Sequence, residues 1–182
     1  SGGTAASMMA LMEEVGRDRE VRRIVGDPYA LMPAGPDGKR ERGADGADQL
    51  GVRFDDSVGM WTGPFVMAAI NTRVVRRSNA LLDYGYGRDF RYSEVMSTGK
   101  GARGLALASV MTAGIGAFVA AAQLRPLRAL LARTVLPAPG EGPSPEARER
   151  GYFVVRLVGE GRAKDGTAVV LRGRVEGKGD PG

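Results

Sequence analysis

The apolar and polar positions divide this chain into helical stretches, alternating runs and one stretch almost without apolar content. Met8, Leu11, Met12 and Val15 recur at helical spacing and predict a helix over Ala5–Val15, with Thr4 as its N-cap. A shorter helix is expected over Asp18–Val25, broken by Gly26-Asp27-Pro28. Residues 33–50, PAGPDGKRERGADGADQL, are proline, glycine and charge, and read as a mobile surface loop. Gly51–Phe65 is glycine-rich and partly extended. It holds Trp61, the only tryptophan, which reads either as a packing anchor or as a surface on which a ligand stacks.

A helix follows over Phe65–Leu82, then a Gly/Tyr turn at Tyr84-Gly85-Tyr86-Gly87 and a strand over Arg88–Met96. Gly104–Leu124 carries no charge and is long enough to cross a bilayer on the ~20-residue rule. Its glycine, alanine, serine and threonine content favours a buried or surface-leaning helix, and a helix against an acyl chain or membrane surface stays open beside it. The basic amphipathic stretch RPLRALLART, ending at Thr134, would suit a headgroup region. A linker over Pro137–Pro145 leads into a short helix, Pro145–Arg150. Tyr152–Gly159 and Thr167–Val175 then alternate apolar with polar residues around Lys164-Asp165-Gly166, which predicts an antiparallel hairpin. The fold class expected is α+β, helices packed on a mostly antiparallel sheet, with no internal repeat.

Composition narrows the chemistry. The 182 residues suit one domain. The formal charge is +5, and of 26 basic residues 22 are Arg and 4 Lys. Arginine suits bidentate contact with phosphate or carboxylate, and a GC-rich genome also writes it in place of lysine. The chain has no Cys and no His. A thiolate nucleophile, a Cys/His zinc site, a disulfide framework and a Ser-His-Asp triad within these residues are therefore excluded. The basic residues are spread along the chain among 21 Asp and Glu, so nucleic acid is not an expected partner.

The densest chemistry lies between Phe65 and Glu94. Asn71, Arg73, Arg76, Arg77 and Ser78 sit close together on one predicted helix, followed by Tyr84, Tyr86 and Arg91. Like charges at Arg73 and Arg77 repel unless an anion or carboxylates sit among them. The cluster therefore reads either as a face for a substrate carboxylate or phosphate, or as a solvated face paired with Asp83, Asp89 or Glu94. Tyr84, Tyr86 and Tyr92 are phenols able to protonate an enolate-like intermediate, or packing residues. Gly99-Lys100-Gly101-Ala102-Arg103-Gly104 matches G-x-G-x-x-G, but the strand before it is too polar for a central parallel strand, so a glycine turn is the better reading. No catalytic residue, metal ligand or cofactor-binding residue is assigned within these 182 residues.

At NTRVVRRSNALL and YGRDFRYSE the sequence resembles the saccharopine dehydrogenase-like oxidoreductases, above all the actinobacterial branch named trans-acting enoyl reductases. The opening SGGT, GPFVM at Gly63–Met67, LPAPGEGP at Leu136–Pro143 and the closing GDPG carry the resemblance almost end to end. It implies a second, non-Rossmann domain, residues 1–182, for substrate binding and dimerisation, with the N-terminal Rossmann domain upstream. It further implies NADPH held mainly outside these residues, hydride transfer to an enoyl double bond on a lipid or polyketide chain, and a homodimer. The parent is expected to be cytoplasmic or membrane-associated, and this fragment inactive alone. The alternative is a non-catalytic module that binds lipid or a membrane surface through Gly104–Thr134.

Overall fold

The computed structural model describes residues 2–134 and 144–179. The expected linker at Pro137–Pro145 falls largely outside them. The architecture is α+β, with two separate antiparallel sheets and six helices among the described residues. The chain divides into two compact units, one of Leu11–Arg128 and one of Ser1–Ala10 with Ala129–Gly182.

In the first unit, α2 (Arg19–Gly26) starts where Asp18 accepts hydrogen bonds from the Glu20 and Val21 amides, at 2.7 and 3.3 Å. It is preceded by α1 (Gly2–Arg17). The strands β1 (Arg53–Asp55), β2 (Met60–Pro64) and β3 (Val95–Gly99) form a sheet in the order β1-β2-β3, antiparallel throughout. Between β2 and β3 runs α3 (Ala68–Leu81). The strand expected over Arg88–Met96 is shorter and later than predicted. Residues 88–94 are irregular, because the β2 partner strand ends at Pro64, opposite Val95, and leaves them no ladder to join.

The 23-residue helix α4 (Gly101–Gln123) packs on β2 and β3 along one narrow stripe. Gly104 and Ala108 are buried there, and Trp61 Cδ1 lies 3.3 Å from where a Gly104 Cβ would stand. Trp61 is thus a packing residue between the sheet and α4, set edge-on to Phe54 with ring centroids 5.4 Å apart. Most of the rest of α4 is exposed although it is apolar, with Val110 71% exposed and Leu107 53%.

In the second unit, β4 (Tyr152–Arg162) and β5 (Ala168–Lys178) form the expected hairpin, closed by Gly166 at φ 86°. It is preceded by α6 (Pro145–Arg150), capped by Ser144. The register puts Phe153, Val155, Leu157, Leu171 and Val175 on one face of the ribbon. Val154, Arg156, Arg172, Arg174 and Glu176 lie on the other. Phe153 lies over Gly177 and Leu157 over Gly173, so each large residue fills the space of a facing glycine. A two-stranded ribbon with one uncovered apolar face is marginal in water by itself. α5 (Arg125–Thr134) completes the helices.

The α4 packing yields a direct expectation. A Cβ at Gly104 would collide with the Gly99 carbonyl, which is backbone and cannot rotate away. Gly104→Ala should therefore destabilise the chain by about 2 kcal/mol or more, read as a lower urea midpoint, whereas Gly114→Ala, with open space around it, should not.

Candidate functional site

The site is built on α3, whose buried side chains are mostly polar. Thr72, Arg76 and Asn79 are buried at successive turns, with only Ala68 apolar among the buried residues of the helix. The Arg76 guanidinium is 6% exposed. Its Nε donates to Asp45 Oδ2 at 2.6 Å, Nη1 to the Pro28 carbonyl at 2.9 Å and Nη2 to the Gly46 carbonyl at 3.0 Å. It also lies over the Tyr29 ring, 5.3 Å from the centroid. Tyr29 in turn hydrogen-bonds Asp45, and its phenol pKa is raised, first by burial and then by that carboxylate.

One turn back, Arg73 Nη1 meets Asp48 Oδ2 at 3.2 Å, and its Nε and Nη2 donate to the Asp27 and Val25 carbonyls. Thr72 Oγ1 lies 2.8 Å from Asp48 Oδ1. The two arginines therefore clamp residues 25–48 onto α3. Their carboxylate partners are Asp45 and Asp48, not the expected Asp83, Asp89 or Glu94. The segment 33–50, expected to be a mobile surface loop, is tied down over its second half by these ion pairs and by Gln49, whose Nε2 reaches Thr62. Its first half holds an isolated bridge between Ala34 and Arg40.

The other predicted residues fall into two groups. Asn71 Nδ2 donates to Glu94 Oε2 at 2.8 Å, while the Tyr92 hydroxyl donates to Glu94 Oε1 at 2.6 Å. Burial, then the Glu94 hydrogen bond and charge, push the Tyr92 pKa up to about 12. Arg77 and Ser78, half-buried, and Arg91, exposed, have no side-chain partner among the described residues. Tyr86 is exposed and packs on Phe90 with centroids 5.3 Å apart. The structure thus separates the predicted cluster into clamped Asn71, Arg73 and Arg76 and available Arg77, Ser78, Tyr86 and Arg91.

Tyr84 is in neither group. It and Asp83 hold left-handed backbone, at φ 60° and 49°. Its ring lies 4.1 Å from Arg88 Cζ, and its hydroxyl is buried with no hydrogen-bond partner among the described residues. The cavity beside it, lined by Met32, Asp45, Arg76, Asn79, Arg88 and Phe90, measures about 20 Å³, room for one water and not for a substrate. The residue that sequence reasoning missed is Asn79, 6% exposed. Its side chain accepts from the Tyr86 amide and donates to the Gly87 carbonyl, both at 3.0 Å, so it shapes the Gly/Tyr turn. Its one sequence signal is a helix-terminal amide just ahead of a glycine-rich turn.

The Gly99–Gly104 motif does not fit a dinucleotide. It joins β3, an edge strand of an antiparallel sheet, to α4, and Gly104 is filled by contact with Gly99 and Trp61 instead of leaving room for pyrophosphate. Among the described residues no group of acidic side chains is placed to hold a metal ion.

Comparison with known proteins then sets the context. No family model matches the chain, and no solved structure matches it. It is 40% identical over 196 residues to a Mycobacterium tuberculosis protein provisionally named a trans-acting enoyl reductase, covering 100% of this chain and 43% of that protein. It is 42% identical over 166 residues to the trans-acting enoyl reductase of Mycobacterium ulcerans, and 40% identical over 164 residues to that of Mycobacterium bovis. Both alignments cover 84% of this chain and 38% of the relative. The chain thus spans less than half the length of these relatives.

The Tyr92–Glu94 contact carries a pH expectation. The folded pKa is raised, so the stability contributed by this contact is full below the ordinary tyrosine pKa near 10 and is lost as pH rises toward 12. Tyrosine ring carbon shifts should show a phenol titrating near 12, and Glu94→Gln should bring it down toward the ordinary tyrosine value near 10.

Proposed function

We propose that these 182 residues are the substrate-binding and dimerising half of a longer NADPH-dependent oxidoreductase that reduces an enoyl double bond on a lipid or polyketide chain. The observation that carries this reading is the alignment. Identity of 40% runs through 100% of this chain, yet fills only 43% of a relative named for enoyl reduction. The larger remainder of such a parent is where a nucleotide-binding Rossmann domain would lie, upstream of a second domain like that of the saccharopine dehydrogenase-like proteins. The α+β architecture and the unsuitability of Gly99–Gly104 for pyrophosphate are consistent with that division.

Within the parent, bound NADPH would supply the hydride for the double bond, and these residues would hold the acyl substrate. The candidates for a polar substrate group are Arg77, Ser78, Tyr86 and Arg91, because their side chains are not consumed by hydrogen bonds or ion pairs among the described residues. Asn71, Arg73 and Arg76 act behind them as positioning residues, fixing the helix that presents Arg77. Tyr84 belongs to the same turn and is shaped by Asn79.

Calorimetry with NADPH on the full-length parent and on this chain tests the assignment. The parent is expected to bind and this chain not to bind. Tight binding by this chain would refute the division of labour, and no binding by the parent would refute the reductase reading itself.

A further inference from the structure

α4 is apolar on every side, and a helix of that kind is normally covered all round by protein core or by lipid. Among the described residues protein covers one stripe of it. Ala108 and Gly104 face the sheet, and the Gly63 Cβ position lies 3.0 Å from Met111 and 3.1 Å from Thr112. The opposite face carries Leu107 and Val110 and runs on into Leu124 and Leu127, all exposed. The helix is long and apolar enough to cross a bilayer. Crossing is ruled out by its packing, because it would carry β2 and the open edge of β3 into hydrocarbon, where unpaired strand groups have no hydrogen-bond partner.

Charge identifies the occupant. No Asp or Glu occurs between Glu94 and Glu141. Arg128 in that stretch is taken up by Glu13 of α1 at 3.7 Å, whereas Lys100 and Arg103 stand exposed beside the apolar face. Elsewhere acids and bases are interspersed, as in the 33–50 segment. Lys100 and Arg103 are exposed at the start of α4, with no acidic residue in its first turn to offset them. A protein partner that covered an apolar helix would have no need of a one-sign fringe, whereas anionic headgroups above an acyl layer match both features. We propose that α4 rests on an anionic lipid surface, with Leu107, Val110 and Leu124 in the acyl boundary and Lys100 and Arg103 among the headgroups. This goes beyond the reductase reading and does not depend on it, since NADPH binding by the parent neither supports nor removes it.

The test is sedimentation of the 182-residue chain with vesicles of phosphatidylcholine, alone or mixed with phosphatidylglycerol. The chain should pellet with the mixed vesicles and be released as salt rises. Replacing both cations, Lys100→Gln with Arg103→Gln, should weaken binding to mixed vesicles by about thirtyfold. Val110→Asp, at a position 71% exposed, should weaken it by roughly tenfold or more with an unchanged circular dichroism spectrum. Absence of pelleting at low salt, equal pelleting with neutral vesicles, or undiminished binding by Val110→Asp would overturn the proposal. So would a dimer dissociated by Val110→Asp in a chain that ignores vesicles, since the face would then be an interface between copies.

Discussion

The first unit depends on a charge taken out of water. Arg76 is buried on α3, and its charge is tolerable because Asp45, Tyr29 and two backbone carbonyls surround it. Burying an ion pair costs several kcal/mol per ion, returned only when geometry and hydrogen bonds are nearly complete. That requirement dictates the path of residues 25–48, which must bring Pro28, Asp45 and Gly46 against a side chain 30 to 48 residues later. Arg73 and Asp48 repeat the arrangement one turn away at partial exposure. Two of the arginines that look on paper like a face for an anionic ligand, Arg73 and Arg76, have carboxylate partners inside the chain.

Local chemistry was readable before the structure, and long-range choice was not. Helical spacing places α1 through α4 to within a few residues, and Lys164-Asp165-Gly166 locates the hairpin, because such signals lie within one or two turns of chain. The partner of Arg76 lies 31 residues away in a stretch whose composition is that of a solvated loop. Nothing in a run of Pro, Gly and charge marks which aspartate will be buried. The strand expected over Arg88–Met96 shrank to Val95–Gly99 for a related reason. Alternation alone does not supply a neighbour, and β2 stops at Pro64, opposite Val95, so the residues before Val95 have no strand to pair with. Asn79 escaped notice because a buried amide and a solvated one look alike in sequence.

The polar and apolar halves of the chain are in different conditions. Buried polar groups on α3 are satisfied almost throughout, with the Tyr84 hydroxyl as the orphan of that region. Apolar surface, by contrast, is left open on α4 and on one face of the β4–β5 ribbon. Each of these surfaces belongs to its own compact unit. Open apolar surface of this extent is suited to contact with apolar material.

A double-mutant cycle at Arg76 and Asp45 tests most directly the claim that Arg73 and Arg76 serve the fold and not a ligand. Arg76→Gln and Asp45→Asn are each expected to cost about 3 kcal/mol of unfolding free energy. Together they should cost less than their sum by about 2 kcal/mol, because each single change leaves the other charge buried and unpaired. Costs that simply add, or an Arg76→Gln protein as stable as the wild type, would contradict the account and return Arg76 to the candidates for ligand binding.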